Sequence, residues 1–241
     1  MKAIILAAGK GSRLKNLTSK NPKCLLKFKG KTLLNHIIDN FLENKINDIN
    51  VVVGYKANKI KIPFIKKIYN LKWNKSNILK SLLCCNKILK KTTSIISYAD
   101  IYYTPNEIKI LRKMKGDICI LSNNNWKKLW KKRFKNPLSD LESFQIKKNK
   151  LIDIGRKVKN INDIHGQYMG IMKINPNGWK KVLRHIKNYY NNEVNHLDIT
   201  NFLKTFIKNK DNFVYVKKTN TEWYEIDNQK DYKIARKYVE K

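Results

Sequence analysis

The chain has 241 residues, 42% of them hydrophobic and 29% charged, so it is long and apolar enough to bury a substantial core and is not expected to be disordered. Its 52 basic and 18 acidic residues give a formal charge of +34, which raises nucleic acid or an acidic membrane surface as a partner. The lysines, however, are spread over the whole length among many Ile and Asn residues, a composition that an AT-rich genome favours, so the charge does not by itself indicate a surface for polyanions.

One domain over residues 1–241, without membrane insertion, is the expected organisation. Residues 1–7 lack the basic and long apolar regions of a signal peptide, and no run of about 18 apolar residues occurs, so a cytoplasmic location is predicted. The cysteines have neither metal-ligand spacing nor the density of a disulfide-rich protein, and we expect reduced, buried thiols at Cys24, Cys84, Cys85 and Cys119.

A short apolar run begins the chain and is followed at once by a glycine-containing loop. Residues 3–7 predict a buried parallel strand. Gly9 and Gly11 let the loop backbone turn its N–H groups towards phosphate oxygens, and Ser12 and Arg13 add a hydroxyl group and a positive charge. More positive charge follows at Lys15, Lys20 and Lys23. The segment therefore predicts a nucleotide that is bound through its phosphates.

Two common nucleotide-binding loops do not fit this spacing. A P-loop needs a glycine five residues before Gly-Lys-Ser or Gly-Lys-Thr, and the chain has none. A Rossmann fingerprint needs a third glycine where Leu14 stands and an acidic residue at the end of a second strand, which residues 51–55 lack. A glycine turn with incidental lysines is the alternative that these residues leave open.

Strand and helix patterns alternate after the loop. Strands are predicted at residues 49–53, 68–70, 94–98, 117–121, 144–147, 151–154, 168–174 and 214–217. Helices are predicted at residues 33–42, 60–68 with an interruption near Pro63, 78–89 with Ser76 as the N-cap, 106–114, 177–190, 197–208 and at the C-terminus.

This alternation predicts an α/β fold with a mostly parallel, Rossmann-like sheet flanked by helices. Ligands of such sheets bind at the carboxyl ends of the strands. Asp100 closes the strand at residues 94–98, so we expect it near the glycine loop. An Asp at a strand end is otherwise often a helix cap or a turn residue.

The chain resembles the nucleotidyltransferases of the sugar-phosphate and phosphocholine type over nearly its whole length. The resemblance rests on residues 1–14 (MKAIILAAGKGSRL), residues 21–25 (NPKCL), Asp100 and residues 225–227 (EID). Within that superfamily it is similar to the small cytidylyltransferases. Residues 75–82 and 224–232 are similar to phosphocholine cytidylyltransferases, while residues 97–101, 126–137 and 167–170 are closer to bacterial phosphoglutamine cytidylyltransferases of capsule modification.

The resemblance implies the nucleotide-diphospho-sugar transferase fold and a set of site residues. Base and ribose contacts would come from Leu6, Ala7, Ala8 and Gly9, phosphate contacts from Gly11, Ser12, Arg13 and Lys23, and further nucleotide contacts from Tyr55, Asn77, Ser81 and Ala99. Arg13 and Lys23 would be catalytic, and Asp100 and Asp227 would bind Mg²⁺. The candidates for acceptor binding are Arg133, Arg156, Gln167 and Glu225.

The reaction implied is Mg²⁺-dependent transfer of CMP from CTP to a small phosphorylated acceptor of the phosphoglutamine or phosphocholine type. Pyrophosphate is released, and the product would serve surface polysaccharide or lipid modification. Such chemistry needs positioning and charge neutralisation more than covalent catalysis. The expected partners are CTP and the acceptor, without a specific nucleic acid, and a homodimer is left open. An aromatic cage of tryptophans would suit phosphocholine, although tryptophans are more often core residues.

Three other functions are alternatives for this sequence. The first is a sugar-1-phosphate nucleotidyltransferase that uses another nucleotide. The second is a basic nucleic-acid-binding protein, which predicts a clustered basic face and salt-dependent binding, whereas the lysines of this chain are scattered. The third is a noncatalytic nucleotide sensor, which the presence of Lys23, Asp100 and Asp227 disfavours.

Overall fold

A computed structural model describes residues 1–134, 136–139, 141–189 and 191–239. The strands in chain order are β1 (Lys2–Ala7), β2 (Lys27–Phe28), β3 (Lys31–Thr32), β4 (Ile49–Val53), β5 (Lys66–Tyr69), β6 (Ser94–Tyr98), β7 (Ile101–Tyr103), β8 (Ile118–Asn123), β9 (Glu142–Lys147), β10 (Lys150–Lys157), β11 (Gln167–Ile174), β12 (Val214–Thr219) and β13 (Trp223–Glu225). The α-helices are α1 (Leu33–Glu43), α2 (Ile78–Leu83), α3 (Asn86–Leu89), α4 (Pro105–Lys113), α5 (Trp126–Arg133), α6 (Pro176–Ile186), α7 (Asn191–His196), α8 (Ile199–Phe206) and α9 (Gln229–Val239).

Within the described ranges, nine strands form one sheet in the order β5-β4-β1-β6-β11-β8-β12-β10-β9. The neighbours β5, β4, β1 and β6 run parallel to one another, as do β8 and β12. Strands β11 and β10 run against their neighbours, so they are the two that point the opposite way. The predicted α/β fold with a mostly parallel sheet is therefore confirmed.

Strand β1 lies inside the sheet because its side chains are apolar on both faces. Ile5 belongs to the core cluster that contains Phe41 of α1 and Ile108 of α4. Its neighbour Ile4 belongs to the cluster on the other face, which contains Leu82 of α2 and Phe202 of α8. Successive side chains of a strand point to opposite faces, so one short apolar run holds helices against both sides of the sheet.

A two-stranded ribbon of β7 and β13 brings the end of the chain to the carboxyl end of β6. In this antiparallel pair Glu225 lies opposite Ile101. The Ile226 N–H donates to the Asp100 carbonyl at 2.9 Å. The ribbon therefore sets residues 225–227 beside Asp100, although the two segments are more than a hundred residues apart in sequence. Strand β7 was not predicted.

The predicted helix over residues 60–68 is wrong. The segment turns at Phe64 and continues into the edge strand β5, which pairs with β4. Pro63 lacks the backbone N–H that a helix interior requires. Ile60 and Ile65 are buried because the extended segment between them runs along the core, not because they share one face of a helix.

The helix predicted over residues 78–89 begins at Ile78, but its N-cap is Asn77 and not the predicted Ser76. The Asn77 Oδ1 accepts the Ile78 N–H at 2.7 Å and is the N-cap, while the Ser76 hydroxyl donates to the Lys72 carbonyl at 2.7 Å. The helix also ends at Leu83 and is followed by the separate short helix α3, rather than continuing to Leu89.

The two later helix predictions are right in part. Helix α6 ends at Ile186, four residues before the predicted end, and residue 190 lies outside the described residues. The segment predicted at residues 197–208 contains α8, capped by Asp198, which accepts the Asn201 N–H at 2.7 Å. Among the described residues, no helix is long and apolar enough to cross a membrane.

Candidate active site

The loop after β1 is shaped by Gly11 and by the side chain that crosses it. Gly11 has a φ of +70°, a backbone conformation that side chains with a Cβ rarely adopt. A Cβ at this position would also lie 2.9 Å from Cβ and Cδ of Lys23. Glycine is therefore needed twice, once for the turn and once to let the stem of Lys23 pass against the loop.

The loop is held in place by the 3-10 helix that follows it, at Ser12–Thr18. The Leu14 N–H and the Thr18 hydroxyl each donate to the Gly11 carbonyl at 3.0 Å. Leu14 is fully buried in a small cluster with Phe28 and Ile226. The position of Gly11 is thus fixed by packing against the same C-terminal segment that carries Asp227.

The side chain of Lys23 joins two carboxylates from distant parts of the chain. Its Nζ lies 2.8 Å from Asp100 Oδ2 and 3.2 Å from Asp227 Oδ1. Burial on its own would lower the pKa of Lys23, but the charges of Asp100 and Asp227 outweigh it and raise that pKa. Burial tends to raise the pKa of Asp227, and the positive charges of Lys23 and Arg13 outweigh it, so this pKa is lowered. Both ends of the pair are held in their charged forms.

The two aspartates have the chemistry of a magnesium site. The Oδ1 of Asp100 is buried and accepts no hydrogen bond from any described residue. Mg²⁺ takes oxygen ligands and is often bound by one or two carboxylates together with substrate phosphates. The described residues hold no group of three or more His, Cys, Asp or Glu side chains placed to bind a metal. Asp100 and Asp227 therefore fit Mg²⁺ only as a site that phosphate oxygens complete.

A cavity of about 310 Å³ opens above the loop and the carboxylates. Every predicted nucleotide-binding residue except Tyr55 lines it: Leu6, Ala7, Ala8, Gly9, Gly11, Ser12, Arg13, Lys23, Asn77, Ser81 and Ala99. Asp100 and Asp227 line it as well. The sequence analysis did not place Cys24, Trp73, Ser76 and Ile78 in this lining. The structure thus brings together segments from five parts of the chain around one space.

Tyr55 supports the loop from outside the cavity. Its hydroxyl lies 3.2 Å from the Thr18 carbonyl and 3.1 Å from the Ser19 carbonyl, to which it donates. Its ring packs edge-on against Trp73, with 5.3 Å between the ring centroids. Trp73 fits at the cavity wall because Gly54 leaves room, since a Cβ there would lie 2.5 Å from Trp73 Cβ. No spacing pattern in the sequence distinguishes Trp73 from a core tryptophan.

Asn77 and Ser81 line the cavity and also have partners in the protein. Asn77 caps α2, and its Nδ2 donates to the His196 carbonyl at 3.2 Å. The Ser81 hydroxyl accepts from Asn70 Nδ2 at 3.0 Å. These bonds fix the wall of the cavity whether or not a nucleotide is bound.

A second cavity, of about 160 Å³, lies next to the first. Two of the predicted acceptor-binding residues, Gln167 and Glu225, line it together with Tyr98, Trp130, Glu142, Ser143, Phe144, Ile154, Tyr168, Gly170 and Thr200. Burial and the charge of Asp227 raise the pKa of Glu225 to about 7. From the sequence, Tyr98 was considered only within residues 97–101, and Trp130 only within residues 126–137 and as one tryptophan of the aromatic cage that phosphocholine would require.

The two arginines predicted to bind the acceptor, Arg133 and Arg156, line neither cavity. Arg133 is 4% exposed, and its Nε lies 2.9 Å from Asp231 Oδ1 and its Nη1 3.2 Å from Glu225 Oε2. Its charge is therefore used inside the protein, where it holds the carboxylates of the C-terminal segment in place. Arg156 lies at the surface, where its Nη2 is 2.8 Å from Asp153 Oδ2.

The tryptophans are distributed over several parts of the fold. Trp73 lines the first cavity and Trp130 the second, while Trp126 and Trp179 are buried in the core. Trp223 stacks on Trp130 with 6.0 Å between centroids and 17° between planes. In the part of the chain that the structure describes, the tryptophans therefore do not form an aromatic cage.

The comparisons with known proteins agree with this geometry. Residues 3–150 match the MobA-like NTP transferase domain family. Over 97% of this chain and 98% of the relative, the sequence is 32% identical to the CTP:phosphoglutamine cytidylyltransferase of Campylobacter jejuni. The fold is similar to that of CTP:phosphocholine cytidylyltransferase from Streptococcus pneumoniae, with a TM-score of 0.73 and 23% identity over 99% of this chain and 98% of that chain. The inositol-1-phosphate CTP transferase from T. maritima has a TM-score of 0.73 and 19% identity over 97% and 93% of the two chains.

Proposed function

The chain belongs to the MobA-like NTP transferase domain family and is a nucleotidyltransferase, and from this premise we propose that it is a Mg²⁺-dependent cytidylyltransferase. It would transfer CMP from CTP to a small phosphorylated acceptor of the phosphoglutamine or phosphocholine type and release pyrophosphate. The observation that carries the proposal is the ammonium of Lys23 between Asp100 and Asp227, in a cavity that also contains the glycine loop.

The support for CTP comes from the relatives. The Campylobacter jejuni protein, similar over nearly the whole length of both chains, is named for CTP and phosphoglutamine. Two solved structures with the same fold are also named for CTP, whereas a third is named as a putative glucose-1-phosphate thymidylyltransferase. We extend the proposal to a role in surface polysaccharide or lipid modification, which would use a CMP-activated small molecule as donor.

In the proposed reaction, a phosphate oxygen of the acceptor attacks the α-phosphorus of CTP. A new P–O bond forms to the acceptor as the bond between the α-phosphorus and the bridging oxygen breaks, and pyrophosphate leaves with the electron pair. The backbone of Gly11 and Ser12 and the side chain of Arg13 would bind the β- and γ-phosphates. Their donors would stabilise the charge that develops on the leaving group.

Lys23 would act on the α-phosphate. Its ammonium neutralises Asp100 and Asp227, and its side chain lines the cavity proposed to bind the nucleotide. Asp100 and Asp227 would hold Mg²⁺ through their carboxylate oxygens. When bound, Mg²⁺ neutralises and orients phosphate oxygens.

The proposal is tested by pyrophosphate release. CTP, UTP, ATP and GTP are each combined with phosphoglutamine, phosphocholine and glucose 1-phosphate, with Mg²⁺ or with EDTA. We expect release from CTP with phosphoglutamine or phosphocholine in Mg²⁺, and none in EDTA. Release only with glucose 1-phosphate, or only with a nucleotide other than CTP, would instead indicate a sugar-1-phosphate nucleotidyltransferase.

A further inference from the structure

The second cavity lies directly beyond the two carboxylates. Tyr98 and Glu225 line this second cavity, and Asp100 and Asp227, two residues further along the same segments, line the first. The hydrogen bond from the Ile226 N–H to the Asp100 carbonyl holds these segments side by side. A phosphate held at the carboxylates therefore has its substituent within reach of the second cavity.

Three side chains that line this second cavity, those of Trp130, Gln167 and Tyr168, carry a buried polar atom without a hydrogen-bond partner among the described residues. The Nε1 of Trp130 and the Nε2 of Gln167 are buried and donate to no described residue. Trp130 is 4% exposed, and an indole N–H can only donate. Buried polar groups in folded proteins nearly always have a partner, and an oxygen atom of a ligand in this cavity can supply one for Trp130 and for Gln167.

The same side chains do not suit a quaternary ammonium group. The guanidinium of Arg133 already lies 4.7 Å from the centroid of the Trp130 ring, and Trp223 stacks against that ring. A trimethylammonium group over Trp130 would meet the positive charge of Arg133. It also offers no oxygen, so the donors of Trp130 and Gln167 would stay unpaired.

Glu225 adds an acceptor to the donors. One oxygen of its carboxylate accepts from Arg133 Nη1 at 3.2 Å, and its side chain lines the second cavity. A carboxylate oxygen can take an N–H of a ligand. The two N–H donors, the carboxylate of Glu225 and the Tyr168 hydroxyl, which can donate or accept, together match a group that carries both a carbonyl oxygen and an N–H, as an amide or an amino acid does.

We propose that the second cavity binds the part of the acceptor beyond its phosphate, and that Trp130 and Gln167 select an acceptor with a carbonyl or carboxylate oxygen over one with a trimethylammonium group. This inference rests on the proposed function, because it requires a phosphorylated acceptor at the two carboxylates. It assigns Trp130 and Gln167 as specificity-determining residues, a role that the predicted Arg133 and Arg156 do not have.

The test compares phosphoglutamine with phosphocholine in two variants and two matched controls. Trp130→Phe removes the indole N–H and keeps a ring, and Gln167→Leu removes the amide and keeps much of the volume. Trp126→Phe and Gln145→Leu make the same changes at residues that line neither cavity. Binding of each acceptor is measured by calorimetry without CTP, and kcat/KM is measured with CTP and Mg²⁺.

We expect the unmodified protein to bind phosphoglutamine more tightly than phosphocholine. Trp130→Phe and Gln167→Leu should each weaken phosphoglutamine binding by about three- to ten-fold, which corresponds to one lost hydrogen bond, and raise its KM. The KM for CTP and the binding of phosphocholine should change little. The controls should leave the preference between the two acceptors as it was.

Tighter binding of phosphocholine by the unmodified protein would overturn the inference, as would an equal loss of both acceptors in the two variants. Because binding is measured without turnover, these outcomes are separate from the fate of the proposed function. If the protein bound the acceptors as expected but released no pyrophosphate, the proposed function would be wrong, while the inferred selectivity of the second cavity would still hold. Thermal unfolding of each variant shows whether it is folded.

Discussion

The Nζ atom of Lys23 lies 2.8 Å from Oδ2 of Asp100, a distance typical of a charge-assisted hydrogen bond. The same ammonium lies 3.2 Å from Asp227 Oδ1. One cation therefore neutralises two carboxylates that lie more than a hundred residues apart in the sequence. In the proposed reaction those carboxylates need a positive charge at every stage, first from Lys23 and then from a bound metal.

Replacing Lys23 by Met should remove most of the activity. The variant loses the cation proposed to stabilise charge on the α-phosphate, and we expect kcat with CTP to fall about 100-fold or more. It also leaves Asp100 and Asp227 as an unneutralised pair, so we expect a lower melting temperature without metal and a larger stabilisation by Mg²⁺ than in the unmodified protein. Steady-state kinetics and thermal unfolding with and without Mg²⁺ measure both effects.

Lys10→Met is the matched control, because Lys10 is in the same loop and lines neither cavity. We expect its kcat to stay within about three-fold of the unmodified value, because a solvent-exposed charge contributes little interaction free energy. Equal losses in the two lysine variants would show that the effect is one of general charge and would contradict the role assigned to Lys23.

Asp100→Asn and Asp227→Asn should change the dependence on Mg²⁺. Each substitution replaces a charged oxygen ligand by a neutral one, so more Mg²⁺ should be needed for half-maximal activity, and the maximum itself should be at least about ten-fold lower. A titration of activity against Mg²⁺ concentration gives both values. Asp39→Asn serves as the control, since Asp39 is an exposed partner of Lys31. Identical Mg²⁺ curves for all three variants would remove the two aspartates from the metal site.

Gly11→Ala and Gly30→Ala separate backbone strain from displacement of Lys23. Both glycines have a positive φ, +70° and +75°, so each alanine should destabilise the fold by about 1 kcal/mol. A Cβ at Gly11 would press on Lys23, whereas a Cβ at Gly30 would meet no atom within 4 Å. We therefore expect both variants to unfold at lower urea concentration, but only Gly11→Ala to lose kcat/KM for CTP, by about ten-fold or more. A comparable kinetic loss in Gly30→Ala would contradict this account of the loop.

Glu107→Gln should remove a pH dependence from the stability of the fold. Glu107 is fully buried, its Oε2 accepts the Thr104 hydroxyl at 2.7 Å, and burial raises its pKa above the ordinary value of 4.5. Between 4.5 and the raised pKa the folded protein binds more protons than the unfolded chain, so this group makes the free energy of unfolding fall as pH rises.

The Glu107→Gln variant has no such proton, and its stability relative to the unmodified protein should increase as pH rises through that window. Urea unfolding of both proteins at several pH values from below 4.5 to neutrality measures the difference. A difference that stays constant with pH would contradict the raised pKa of Glu107.

The sequence carried enough information to predict most of the residues that line the first cavity. Gly11, Lys23 and Asp100 lie in or next to segments whose spacing is specific, and a parallel sheet places strand ends at one edge. The ribbon of β7 and β13, which brings Asp227 to Asp100, was not visible, because three-residue strands have no periodicity to read. The resemblance supplied Asp227 in its place.

The residues of the second cavity come from distant parts of the chain and meet only in the folded protein, so no local sequence pattern predicts them. Arg133 was expected to bind an acceptor because it is basic, but burial requires a cation to be paired, and Asp231 and Glu225 pair with it. Trp130 precedes Arg133 by three residues on α5, yet its side chain lines the second cavity and stacks on Trp223. The helix prediction for residues 60–68 is wrong for a related reason. The apolar residues of this extended segment pack along the core and do not share one face of a helix.

The central claim is tested most directly by ³¹P NMR of the protein with CTP, phosphoglutamine and Mg²⁺. The account predicts that the signals of CTP and of the acceptor phosphate decline together. Pyrophosphate and a new diphosphate, which joins CMP to the acceptor, should appear in equal amounts. CTP that stays intact with phosphoglutamine and with phosphocholine, or that is hydrolysed to CMP without forming the new diphosphate, would contradict the claim.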